Sequence, residues 1–196
     1  MSNNFGKICT VALSVVILAS SVSNVFADNH VARVNKVFQG FMSKITNEKV
    51  INALKASNAK RANLTQAQID KLEKTWQSQR KASKRPLIDT IVKNDVAEHL
   101  RGVLEASGGQ ISEINLMDAK GLSIAQSDQN SDIWQGDEIK YQKTFLVAPD
   151  AMFVDELEFD SSTKAFQAQA NGTIVDPASN KPIGAVSIGF NTEKLF

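Results

Sequence analysis

The chain has 196 residues, 42% apolar and 22% charged, with a formal net charge of +1. That composition excludes a disordered or fibrous chain and a nucleic-acid binder that works through a basic face. One cysteine and two histidines exclude a disulfide framework and a zinc cage.

Residues 1–27 read as a secretory signal peptide. Lys7 precedes an apolar run, Ile8–Leu18, and Val25-Phe26-Ala27 puts small or apolar residues where a signal peptidase reads. The run is shorter than the ~20 residues a spanning helix needs. Cleavage after Ala27 would remove Cys9, the only cysteine, and deliver Asp28–Phe196 to a bacterial periplasm. The new terminus would read Asp28-Asn29-His30. Its amine, two deprotonated amides and the imidazole of His30 would wrap Cu(II) or Ni(II) in a square plane. A frayed terminus with His third by chance is the plainer alternative.

Residues 28–110 read as a helical segment. Val31, Val34, Phe38, Phe41, Met42, Ile45, Ile51 and Leu54 fall on one stripe, predicting a helix over 31–57. A stripe that long packs on a core and could also supply a homodimer seam. Thr65 and Gln68 form a capping box, and Leu64 and Ile69 the accompanying hydrophobic staple. Ile69, Leu72 and Trp76 mark that helix's buried face. Arg80, Lys81, Lys84 and Arg85 follow, as a solvated loop or as a patch for anionic lipid or an acidic partner. Pro86 opens the next helix. Asn94-Asp95 divides it, and Ser107-Gly108-Gly109 ends it. His99 lies on its polar side, as a surface or locally bonded group.

From Ile111 the period turns extended. Ile111–Asp118 and Leu122–Ser127 form a hairpin through Asp118-Ala119-Lys120-Gly121. Three further strands, Met152–Phe159, Lys164–Val175 and Ile183–Phe190, follow a helical insertion at 132–146. Asn171-Gly172 suggests a bulge. The fold class is α+β: long N-terminal helices packed on a five-stranded antiparallel sheet. Residues 28–196 form one structural domain, with the sheet at 111–196.

Ser127–Phe145 gathers aromatics and acids outside any strand. Trp134 and Tyr141 offer π faces, and Asp132, Asp137 and Glu138 offer charge. Aromatics with acids suit a cationic amine through cation–π contact and charge-assisted hydrogen bonds. Asp155 and Asp176 are candidates for the sheet side of such a pocket. Each residue also has a structural reading. Asp132 would cap the helix, Asp137 and Glu138 would complement its dipole, and the aromatics would be core.

The order of elements resembles the Cache domain, a PAS-like extracytoplasmic sensor module. The hairpin ISEINLMDAKGLSIAQS, the insertion SDIWQGDE and the last strand IGAVSIGFN carry the resemblance, which covers roughly residues 31–196. It implies a small ligand between the sheet and the insertion. In amino-acid-binding members an Arg stands two residues before a Trp, and an Asp three after it. Trp134 and Asp137 match, but Asp132 stands where the Arg would be. The resemblance therefore implies an amine ligand rather than an amino acid.

No enzyme signature accompanies it. Gly108-Gly109 ends a helix and opens a strand, the wrong order for a phosphate loop. Asp137 and Glu138 are neighbours that diverge rather than face one bond. The expectation is a periplasmic sensor or ligand-binding domain, without enzymatic activity or cofactor. It would signal through an inner-membrane receptor, kinase or cyclic-dinucleotide enzyme, because Phe196 ends the chain just after the last strand. The alternative is an interaction protein that keeps the fold without a functional pocket.

Overall fold

The computed structural model describes residues 19–155, 157–160 and 165–195, with side chains left out at 19–30, 158–160 and 165. Residues 1–18 of the expected signal peptide and the side chain of His30 lie outside the described residues. Five helices precede the sheet: α1 (Ala19–Ile45), α2 (Glu48–Arg61), α3 (Gln66–Gln79), α4 (Pro86–Val92) and α5 (Asp95–Ala106). No helix among the described residues is long and apolar enough to cross a membrane.

The stripe expected as one helix over 31–57 is two. Asn47 ends the continuity because its side chain accepts from Val50 N and starts α2. His99 Nε2 fixes the joint, lying 3.0 Å from Asn47 Nδ2 and 3.1 Å from Lys44 O. The apolar stripe itself is real. Val34, Phe38, Phe41, Ile45, Val50 and Leu54 are all buried in one cluster with the sheet. Those six positions pack against the chain's own strands, while Val31 at the start of the stripe is exposed. The capping box of Thr65 and Gln68 is present at α3. Pro86 opens α4, and the Asn94 side chain caps α5. Gly108 and Gly109, with φ of 64° and 86°, turn the chain out of α5.

The sheet comprises β1 (Ile111–Asp118), β2 (Ser123–Gln126), β3 (Met152–Val154), β4 (Glu158–Asp160), β5 (Ala165–Asp176) and β6 (Lys181–Asn191). Its order is β2-β1-β6-β5-β3, antiparallel throughout, with β4 also on β5. The expected third strand is thus present in two pieces on one neighbour, which preserves five ribbons. The bulge lies between Ile174 and Val175 instead of at Asn171-Gly172. Gly172 serves a close approach: a Cβ there would stand 2.8 Å from Cζ of Phe38.

Alternation decides the two faces. Ile114, Leu116, Val186, Ile188 and Ala170 turn to α1, α2 and α5 and form the main core. A second cluster, Ile69, Trp76, Ile88, Ile91, Leu122 and Ile133, ties α3 and α4 to the hairpin. Met117 and Ala185 turn the other way and pack with Tyr141 of the insertion.

Candidate functional site

The insertion is fastened first along an edge of the sheet. Ile133–Gln135 runs beside the hairpin: Ser123 N donates to Ile133 O at 2.8 Å and Gln135 N to Gly121 O at 2.7 Å. Leu122 and Trp134 form a bridge pair, so this segment covers the open edge of β2. The approach is tight enough to require glycine, since a Cβ on Gly121 would stand 2.6 Å from Gly136 Cα. From the helical side, Glu73 Oε2 accepts the backbone N–H groups of Ile133 and Trp134, each at 3.1 Å. Gln77 donates to Ser131 O and to the Asp132 carboxylate, both at 2.8 Å.

The helical part is shorter than the expected 132–146. Only α6 (Ile139–Gln142) is α-helix, because 133–135 is committed to bridging β2. From α6 the chain crosses the sheet face. Tyr141 is 3% exposed and stacks on Phe145 at 5.2 Å. Lys143 Nζ lies 4.2 Å above the ring of Phe153. Thr173 Oγ1 donates to Ala148 O at 2.9 Å, closing the far end.

Beneath this cover runs a polar row. Asn115 pairs with Ser187, and Ser187 with Asn171, on β1, β6 and β5. Gln126 flanks Asn115 at one end, and Phe153 flanks Asn171 at the other. Cross-strand partners share a face, so these side chains stand side by side. Asn115, Ser187 and Asn171 are 2%, 3% and 0% exposed. Asn115 Oδ1 accepts from Ser123 Oγ, and Asn171 Nδ2 donates to Phe153 O. Their other polar atoms have no partner. Asn115 Nδ2, Ser187 Oγ, Asn171 Oδ1 and Gln135 Oε1 of the insertion are buried and unpaired. Buried polar atoms are almost always satisfied, and each unsatisfied one costs about 1–3 kcal/mol. Three of these four atoms lie along one row of the sheet.

A charged anchor lies at the hairpin tip. Asp118 is 0% exposed. Its Oδ1 accepts from Lys120 N and Leu122 N, and its Oδ2 from Ser57 Oγ and Arg61 Nη1, both at 2.8 Å. Burial, then the Asp118 charge, push the Tyr141 phenol far above its ordinary pKa of 10, while a hydrogen bond with the Gly121 backbone pulls it partly back.

The residues expected at the site are dispersed. Trp134 Nε1 donates to Lys120 O at 2.9 Å, and its ring joins the cluster of α3 and α4. Asp132 is taken by Gln77 and Ser131, and caps no helix. Asp137 is exposed on the turn before α6. Tyr141 does lie over the sheet, as packing. Asp176 faces α2 instead of the insertion. The Lys55 ammonium at 2.9 Å holds its carboxyl below the ordinary range, against burial, aided by Ala178 N–H and the Ser179 hydroxyl. Asp155 donates its N–H to Gln169 O, one row beyond Asn171 on the insertion-facing side. Among the described residues no cluster of His, Cys, Asp or Glu could hold a metal. The polar row was not among the expected site residues; its trace in the sequence is Asn115 and Ser187, single polar residues between apolar neighbours in strands covered on both faces.

No family model matches the chain, and no curated protein does. Among solved structures, it is similar to the sensor domain of the V. cholerae histidine kinase DctB, at 13% identity and a TM-score of 0.49, over 90% of this chain and 55% of that one. It is also similar to the sensory domain of the Campylobacter jejuni chemoreceptor Tlp3 with isoleucine bound, at 15% identity and a TM-score of 0.39, over 83% and 64%. A third is the ligand-binding domain of the Pseudomonas aeruginosa PAO1 amino acid chemoreceptor PctC with GABA, at 11% identity and 0.38, over 80% and 65%. The chain spans 55–65% of the length of these solved chains. With TM-scores below 0.5, the likenesses fix no function for it.

Proposed function

We propose that this chain is a periplasmic Cache-type sensor domain that binds a small molecule between the sheet and the insertion and passes the signal to a membrane receptor or kinase. The single observation that carries the reading is the row of unpaired buried polar atoms on Asn115, Ser187 and Asn171. The row holds no charge. It offers a donor at Asn115, acceptors at Asn171 and Gln135, and a hydroxyl that does either. A neutral, hydrogen-bonding ligand fits it better than a cationic amine. Asp155 would border the ligand, and Trp134 and Asp132 would hold the insertion in place.

The test is a thermal-shift screen of polyols, amides, nucleosides, amino acids and amines. A neutral polar compound should raise Tm, and more so with concentration. Asn115→Leu should abolish that rise while the far-ultraviolet spectrum stays unchanged. If no compound shifts Tm, or if the Leu variant keeps the full shift, the reading fails. The chain would then be an interaction protein whose polar row holds water.

A further inference from the structure

A cavity opens on the helical side of the sheet. It is a cleft of about 980 Å³ between α2 and the α3–α4–α5 layer, within the size range of small-ligand sites. Its floor along α2 is Ala53, Ala56 and Ser57. These small side chains at helical spacing leave room where longer ones would fill it. The opposite wall is apolar, formed by Leu64, Leu72, Leu87 and Ile91. The three leucines are only partly buried although they border a core cluster.

The two ends differ in charge. At one end Lys49 has Asp95 among its fellow lining residues. At the other stand Lys60 and Arg61, one turn before Leu64. The carboxylate there is Asp118, and both of its oxygens are already engaged. Lys60 makes no ion pair among the described residues. Arg61 is held in place by Asp118 with its side chain 17% exposed, so its guanidinium is ordered before any ligand arrives. An uncompensated ammonium beside a rigid guanidinium, next to a leucine-lined wall, is complementary to an amphipathic anion. We propose that this cleft binds a medium-chain carboxylate or alkyl phosphate. The head would sit at Lys60 and Arg61, and the chain would lie across Leu64, Leu72 and Leu87. This site is separate from the polar row, with the sheet between them.

Titration of the purified chain with sodium decanoate, decanol and decyltrimethylammonium, followed by Tm and by tryptophan fluorescence, tests the assignment. Decanoate should bind best, decanol more weakly, and the cation not at all. Lys60→Glu, an exposed change that spares the fold, should weaken decanoate about tenfold. Leu72→Asn should weaken decanoate and decanol alike. Asn115→Leu should leave all three titrations unchanged. Equal binding of decanoate and decyltrimethylammonium, or an unaltered decanoate affinity in Lys60→Glu, would overturn the proposal.

Discussion

Ile114, Leu116, Val186 and Ile188 face the helices, while Asn115 and Ser187, each between two of them in the chain, face the insertion. Both faces are buried, yet they follow different rules. Around these four residues on the helical face the neighbours are apolar and close-packed, down to a glycine at 172 that admits the Phe38 ring. That arrangement maximises burial. On the insertion face, strand positions of equal burial carry amides and a hydroxyl whose atoms are partly unpaired. A protein selected only for stability would replace them with apolar residues of similar size, at no loss. Their presence separates the face that holds the domain together from the face proposed to bind a ligand.

The helical face should break hardest. Phe38 is 1% exposed and seated over Gly172. Phe38→Ala should cost about 3–5 kcal/mol, a fall in Tm of roughly 10 °C by calorimetry. An equal cost for Asn115→Ala would show that the two faces do not differ. Next comes the anchor that joins them. Arg61→Leu leaves the Asp118 carboxylate buried without its cation, so the urea midpoint should report a loss of about 3 kcal/mol. Adding Asp118→Asn should return part of it, because the stranded charge is then gone.

Tyr141 gives a subtler probe of the insertion's seating. It is the chain's only tyrosine, so the phenolate band in the near ultraviolet belongs to it alone. A phenol pKa raised by burial and by Asp118 contributes stability that is fully present below pH 10 and lost as pH rises beyond it. The unfolded chain ionises there first and draws the equilibrium toward itself. Folded protein should therefore show no phenolate just above pH 10, and its Tm should fall with further alkali. Tyr141→Phe should flatten that fall. A phenolate band that rises at pH 10 with Tm unchanged would mean the insertion does not seal this face.

Much of this was readable from residue types. The α3 capping box, Pro86 at the start of α4, the Asn94 break and the Asp118–Gly121 turn are local signals, and local signals survive folding. The α1–α2 stripe was visible too, but not its interruption at Asn47, whose Oδ1 caps α2 and whose Nδ2 meets His99 of α5. The site was less legible. The Trp134 and Asp132 pattern marks a loop with unusual residues, yet the partners that occupy them, Lys120, Glu73 and Gln77, are distant in the chain. The Arg61–Asp118 pair spans 57 positions and leaves no trace in spacing. The polar row depends on register, which aligns Asn115, Ser187 and Asn171 from three strands.

The smallest expected effect discriminates best, because it sets two buried serines against each other. Ser123 is 0% exposed; its Oγ donates to Asn115 and accepts from Gln126 Nε2. Ser187 is 3% exposed, and its Oγ has no partner. By area the two look alike. By hydrogen bonding they are opposites, since removing a paired group strands its partners and removing an unpaired one strands nothing. Ser123→Ala should cost about 1–2 kcal/mol in chemical denaturation. Ser187→Ala should change stability by no more than about 0.5 kcal/mol, or raise it slightly. Any ligand found for the polar row should nevertheless lose affinity in Ser187→Ala. If Ser187→Ala instead destabilises as much as Ser123→Ala, a fixed internal water already satisfies that hydroxyl. The row would then be structural, and the asymmetry between the faces would lose its functional meaning.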